Sequence, residues 1–140
     1  MLIYADSSAL AKLILIEAGT GEMRASVAEA DRLVSASVGY VELRAALAAA
    51  FRQERLPAPS RDEYVLTLSQ LWDRVVEIPV DRPLIHMAGD LAEQWQLRGY
   101  DAVHLAALNH AGKPGEALFA CWDDRLRRAA GQLGYQLLPQ

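Results

Sequence analysis

The chain opens on an unbroken apolar run, LIYA at 2 to 5, closed by Asp6, and the pattern recurs where ALFACW runs into Asp123. Short runs with no polar alternation predict strands buried on both faces. Strands are predicted likewise at 32 to 36 (RLVSA), 75 to 80 (VVEIPV) and 135 to 138. Between them the apolar residues recur at helical spacing, which predicts helices over 7 to 16, 20 to 30 and about 38 to 55. Pro57 and Pro59 stop the last of these. Ser60 and Glu63 form a capping-box pair that opens the next helix, where Tyr64, Leu68, Leu71 and Trp72 share a stripe. Asp81 caps a further helix, with Pro83 in its first turn, Leu84, Met87, Ala88, Leu91 and Trp95 along it, and Gly99 as its expected end. Helices over 100 to 111 and 124 to 132, with a turn at GKPGE between them, complete the pattern. Strands alternating with helices imply an α/β fold with a mostly parallel sheet covered on both faces. The segment VGYVELRAALAAAF is apolar around most of its circumference, which suits a helix deep in its own core or one that meets a partner.

Length and composition narrow this picture. At 140 residues and 52% hydrophobic content, the chain suits one domain spanning 1–140 with a sizeable core. The single cysteine, Cys121, allows no internal disulfide and reads as a buried strand residue in a reducing compartment. The first strand begins by Leu2 without a preceding basic segment, leaving no room for a leader, and Asp6, Lys12 and Glu17 interrupt the most apolar region. A soluble, cytoplasmic protein is expected. The formal charge of −4 argues against a broadly basic surface that wraps nucleic acid. Neutralising four of the acids with cations moves that balance to zero, so charge alone does not exclude a polyanion.

Four acids stand out by position. Asp6 and Asp123 follow strands and open helices, Glu42 lies just beyond the strand RLVSA, and Asp101 opens the helix DAVHLAAL. In a parallel sheet such strand ends share one edge, beside which ligands bind. Carboxylates gathered there repel one another unless a hard cation such as Mg²⁺ or Mn²⁺ neutralises them. Each Asp taken singly has a simpler reading as a helix cap. Glu42, an acid within an apolar helix, is harder to explain in that way. Ser8 is placed to donate to a carboxylate or a substrate phosphate, or to cap the first helix. His104, one helical turn after Asp101, reads as a satisfied structural histidine, and His86 and His110 show no ligand spacing with it, which disfavours zinc. Among the cations, Lys12 and Arg44 are the ones placed to meet a substrate phosphate, whereas Arg98, Arg125, Arg127 and Arg128 read as solvated helix faces. There is no GxSxG elbow, Cys/His pairing or P-loop.

The blocks IYADSSALAKL, VELRAAL, LRGYDAVHLAAL and WDDRLRRAA, in that order and over nearly the whole chain, resemble PIN-domain ribonucleases of the VapC toxin type. The resemblance implies a five-stranded, mostly parallel sheet between helices, Mg²⁺- or Mn²⁺-dependent RNA hydrolysis, a homodimer and a VapB-type antitoxin. It aligns Asp6, Glu42, Asp101 and Asp123 with the family's acidic quartet, and Ser8 with its small hydroxyl residue. Asp6 and Asp101 are then the expected primary metal ligands, Asp123 completes a second metal site or holds a metal-bound water, and Glu42 ligates through water or orients the nucleophile. Cys121 stands where the family usually has Thr or Ser, so a hydrogen bond to the site is expected to be missing. Asp123 is preferred over Asp124 as the inward acid because it leads the D-x-x-L spacing to Leu126. An inhibitory partner is expected to insert an Arg among the acids. Three other classes compete. A phosphoacceptor receiver domain would use Lys113-Pro114, but that Lys precedes a strand instead of ending one. An aspartyl phosphatase wants D-x-D, where this chain has Asp6-Ser7-Ser8. The third is a catalytically silent protein-binding module whose acids only cap helices.

Overall fold

Five strands, β1 (Leu2–Ala5), β2 (Arg32–Ala36), β3 (Val75–Ile78), β4 (Ala117–Ala120) and β5 (Gln136–Leu138), join in the order β3-β2-β1-β4-β5, and every pair is parallel. The computed structural model describes residues 1–140. Parallel neighbours need crossover connections. Helices α1 (Ser7–Ile14) and α2 (Thr20–Glu29) connect β1 to β2, and α3 (Val38–Arg52) and α4 (Arg61–Trp72) connect β2 to β3. Helices α5 (Arg82–Trp95) and α6 (Gly99–Ala111) lead back across the sheet to β4, and α7 (Asp124–Gln132) leads to β5.

The direction of travel places the layers. From β1 to β3 the chain steps one way along the sheet, and from β3 to β5 it steps the other way. Right-handed crossovers then put the helices of the two halves on opposite faces. The packing agrees: Ile3 and Ala5 join Leu10, Leu43, Leu47 and Leu68 on one face. Leu2 and Tyr4 join Leu84, Leu91, Leu105 and Leu126 on the other. Every residue of β1 is buried, so its uniformly apolar sequence follows from its central place. The reversal of direction leaves a crevice between the carboxyl ends of β1 and β4, the usual place for a site in such sheets. No helix is long and apolar enough to cross a membrane.

Several boundaries differ from the sequence reading. The sheet is wholly parallel. Gly99 begins α6 instead of ending α5, because α5 stops at Trp95 and Gln96 adopts a left-handed conformation (φ 54) with its N–H on the Ala92 carbonyl. Asp101 therefore lies within the first turn of α6 and does not cap it. The Ser60 hydroxyl bonds the Pro57 carbonyl at 2.6 Å and makes no cap on α4, since a 3-10 turn over Ala58–Ser60 already feeds that helix. Helix α3 is amphipathic by shape: Gly39, Leu43, Leu47 and Ala50 are buried, while Val41, Ala45 and Ala48 face outward. It is thus not enclosed by its own core.

The start of α3 presses against the sheet at Gly39. A Cβ there would stand 3.0 Å from Ser35 Oγ and 3.3 Å from the Trp72 ring. The Ser35 hydroxyl is not free to retreat, since it is buried and donates to the Ala5 carbonyl at 2.6 Å. Overpacking of this kind costs about 1–3 kcal/mol. Gly39→Ala is expected to destabilise by that amount in urea denaturation, with an unchanged slope, while Gly21→Ala, whose Cβ would meet nothing within 4 Å, costs no comparable amount.

Candidate active site

Asp6 directly follows β1, and its own N–H still pairs with the Ala120 carbonyl of β4 at 3.2 Å. Its extended backbone makes it the N-cap of α1. One carboxylate oxygen, Oδ1, accepts the Ala9 N–H at 3.0 Å and the Ser8 hydroxyl at 2.6 Å, and Oδ2 accepts the Cys121 thiol at 3.0 Å. Only 4% of the residue is exposed. Burial raises the carboxyl above its ordinary 3.8, against the lowering effect of nearby His104 and of the hydrogen bonds from Ser8, Cys121 and Ala9.

The Ser8 hydroxyl has a second bond, accepting the Trp122 N–H at 2.9 Å, and so ties α1 to the segment leaving β4. It thus serves a carboxylate. Cys121 corrects one expectation. The hydrogen bond expected to be missing is supplied by its thiol, whose sulfur also accepts the Asp123 N–H at 3.3 Å. Burial and the neighbouring Asp6 push that thiol far above its ordinary range, so it stays protonated and able to donate.

Asp123 caps α7, its Oδ1 accepting the Leu126 N–H at 3.0 Å. Asp124 is exposed one residue on. Asp101 projects from the first turn of α6, and the Arg98 guanidinium joins the two acids, donating to Asp101 Oδ2 at 3.1 Å and standing 3.5 Å from Asp123 Oδ2. Glu42, in the first turns of α3, is held from two sides, by His104 Nε2 at 2.6 Å and by the Ser7 hydroxyl at 3.3 Å. All four acids therefore lie at one end of the sheet, linked pairwise: Asp6 to Asp123 through Cys121, Asp123 to Asp101 through Arg98, and Glu42 to Asp101 across one groove. No three of the acidic, His or Cys side chains close into a ready cage.

Two depressions meet at Arg98. One, of about 730 Å³, is lined by Glu42 and Asp101 and walled by Ile85, Ala88 and Tyr100. The other, of about 580 Å³, is lined by Trp122, Asp123, Asp124, Arg125 and Arg128. The basic side chains named from sequence are placed differently. The Lys12 ammonium is buried, bonded to Glu17 at 3.1 Å and the Ala18 carbonyl at 2.8 Å, and lies 4.7 Å from the centre of the Trp122 ring. Arg44 donates to the Tyr40 hydroxyl. Arg127 is bonded to the Cys121 and Pro139 carbonyls, so it braces the chain end and does not line the site. Sequence reasoning missed Arg98 because a cation three residues before an acid on a helix has the ordinary look of a surface pair. Ser7 was missed, and His104 was read only as a satisfied structural histidine, because their partner, Glu42, is distant in the chain. A signal did exist, since an acid within an apolar helix needs a donor.

No family model matches the chain. Two ribonucleases of Mycobacterium tuberculosis, VapC45 and VapC49, are each 35% identical to it over 138 residues, spanning 99% of this chain and 95% of the relative. VapC47 of the same organism is 30% identical, spanning 96% and 93%. Among solved structures, PAE2754 from Pyrobaculum aerophilum superposes with a TM-score of 0.68 at 17% identity over 99% of this chain and 90% of its own. The M. tuberculosis sarcin-ricin-loop-cleaving toxin VapC20 does so with a TM-score of 0.67 at 17% identity over 91% and 94%. The structural likenesses establish the fold, and the full-length sequence likeness establishes the kinship: this chain belongs to the VapC family of PIN-domain ribonuclease toxins.

Proposed function

We propose that the chain is a Mg²⁺- or Mn²⁺-dependent endoribonuclease whose catalytic carboxylates are Asp6, Glu42, Asp101 and Asp123, and that a VapB-type antitoxin restrains it. The observation that carries this reading is the guanidinium shared by Asp101 and Asp123. Both carboxylates already face one cation, and their hard oxygen donors suit Mg²⁺ or Mn²⁺ better than zinc. Arg98 is 73% exposed at its side chain, so a metal could displace it into solvent. The chemistry of the donor set supports such a metal, which would draw the acids together.

Asp6, Asp101 and Asp123 would hold the cation. When bound, it supplies charge neutralisation at the scissile phosphate and activation of the attacking water. Ser8 and Cys121 keep both oxygens of Asp6 aimed while it is ionised. Glu42 would align the water for in-line attack and take its proton as the new P–O bond forms, while the bond to the leaving ribose oxygen breaks and that oxygen takes a proton from solvent. Arg98, displaced from the acids, and Arg125 and Arg128 in the adjoining depression suit successive phosphates of a single strand, with Trp122 beside them as an aromatic surface. This local basic strip reconciles an RNA substrate with the acidic total.

The outward stripe of Val41, Ala45 and Ala48 on α3 offers small side chains for close helix approach, which supports a homodimer. The antitoxin reading draws on relatives solved as VapBC complexes, among them one from M. tuberculosis that superposes with a TM-score of 0.63 at 18% identity. Arg98 supports it chemically, since a guanidinium from a partner has the same two carboxylates to pair with.

Three outcomes are expected. Cleavage of total RNA by the purified chain stops in excess EDTA and returns with Mg²⁺ or Mn²⁺ but poorly with Zn²⁺; undiminished cutting in EDTA rules the mechanism out. Asp6→Asn abolishes cleavage while stabilising the metal-free fold. Its pH dependence has a definite sign: because burial raises the Asp6 carboxyl, its contribution to folding is fully present below 3.8 and is lost as pH rises through the raised value. The melting temperature of the metal-free Asn variant should match the parent in acid and exceed it increasingly towards neutrality, and Mn²⁺ should stabilise the parent more. Third, co-expression with the neighbouring open reading frame should relieve growth arrest and yield a co-purifying small protein whose single Arg→Ala variant no longer inhibits.

A further inference from the structure

The bond between His104 and Glu42 is the exposed end of a longer chain of polar groups. His104 is 2% exposed and Tyr4 0%, both packed in the core between the sheet and α6. The Ala36 N–H, at the end of β2, donates to the Tyr4 hydroxyl at 3.1 Å. That hydroxyl meets His104 Nδ1 at 2.8 Å, and His104 Nε2 meets Glu42 Oε1 at 2.6 Å. The direction of these bonds follows from the donors. A phenol keeps its proton at neutral pH. With Ala36 already donating to its oxygen, that proton goes to Nδ1, and Nε2 carries the imidazole proton towards the carboxylate.

A buried polar series of this kind is costly unless every member is satisfied, and packing alone would be served as well by Phe and Leu. Here every member is satisfied, and the series ends on an acid of the site instead of closing on itself. We propose that His104 is a positioning residue for the ribonuclease reaction, holding Glu42 towards the attacking water through a relay that begins at the Ala36 amide and passes through Tyr4. This rests on the reading of Glu42 as a catalytic carboxylate. The relay fixes the imidazole plane from inside the core, so the Glu42 carboxylate, 24% exposed at its side chain, is aimed by a rigid donor. Ser7 holds its other oxygen at 3.3 Å. Loss of a hydrogen-bond partner behind an active-site ligand commonly lowers activity about 10- to 100-fold.

The test uses the full chain and two kinds of measurement. In ¹⁵N-edited NMR without metal, the imidazole signal lost in His104→Gln should show a slowly exchanging proton on Nε2; an Nε2 without a proton overturns the relay. In RNA cleavage with Mn²⁺, His104→Leu should lower kcat about 10- to 100-fold with KM little changed. His104→Gln, whose amide can donate to Glu42 and accept from Tyr4, should recover most of that loss. Adding His104→Leu to Glu42→Ala should cost nothing further, because the histidine acts only through that acid. Parental kcat in His104→Leu, or additive losses in the double variant, overturns the proposal. Thermal melts of each variant separate misfolding from mispositioning. If Glu42→Ala itself cleaves like the parent, the assignment of Glu42 fails, while the Nε2 proton still decides whether the relay exists.

Discussion

Burying an ionisable carboxylate at the end of a central strand is the constraint around which this molecule is arranged. Asp6 must sit there because β1 delivers it to the crevice where the chain reverses direction along the sheet. Its burial is tolerable only if both oxygens find donors. The donors come from two places: the first turn of α1, through the Ala9 N–H and the Ser8 hydroxyl, and the segment after β4, through Cys121. Because Ser8 also takes the Trp122 N–H, satisfying the acid simultaneously locks β4's exit against α1. The placement of Asp123 follows from that lock, since it lies one residue beyond Trp122. Local hydrogen bonding and site geometry are therefore the same set of contacts.

The electrostatics extend outward from this point. The protein brings Arg98 onto Asp101 and Asp123, and presents Arg125 and Arg128 beside them. On the far side of Arg98 the surface changes character, to a groove walled by Ile85, Ala88 and Tyr100. A strand of RNA crossing the acids would thus meet charge on one side and apolar and aromatic surface on the other. Net charge does not report such an arrangement, because counterions and substrate respond to local potential.

Much of the fold was legible because it rests on local physics. Strand β1 has no polar position because both its faces are covered, and the same reasoning located β2 and β4 nearly residue for residue. Asp81 and Asp123 were recognisable as caps since capping involves an acid and an amide three residues apart. The end of α5 was misjudged because Gln96, not Gly99, takes the left-handed turn, a choice that glycine statistics disfavour. Ser60 was misjudged because two prolines upstream build a 3-10 turn that uses its hydroxyl differently.

By itself the sequence determined the alternation of strands and helices, the parallel sheet and the acids at its carboxyl edge, because each depends on periodicity or on neighbours within a turn or two. The full-length likeness to VapC ribonucleases reflects that ordered pattern. Only the tertiary structure decided what those acids touch. Glu42 and His104 are 62 residues apart, Asp6 and Cys121 are 115 apart, and Arg98 and Asp123 are 25 apart. Donor and acceptor at such separations are matched by sheet order and helix packing, which no local pattern encodes. Lys12 makes the same point in reverse: its position in the first helix suits a phosphate, yet the turn through Ala18 folds back over it and claims its charge.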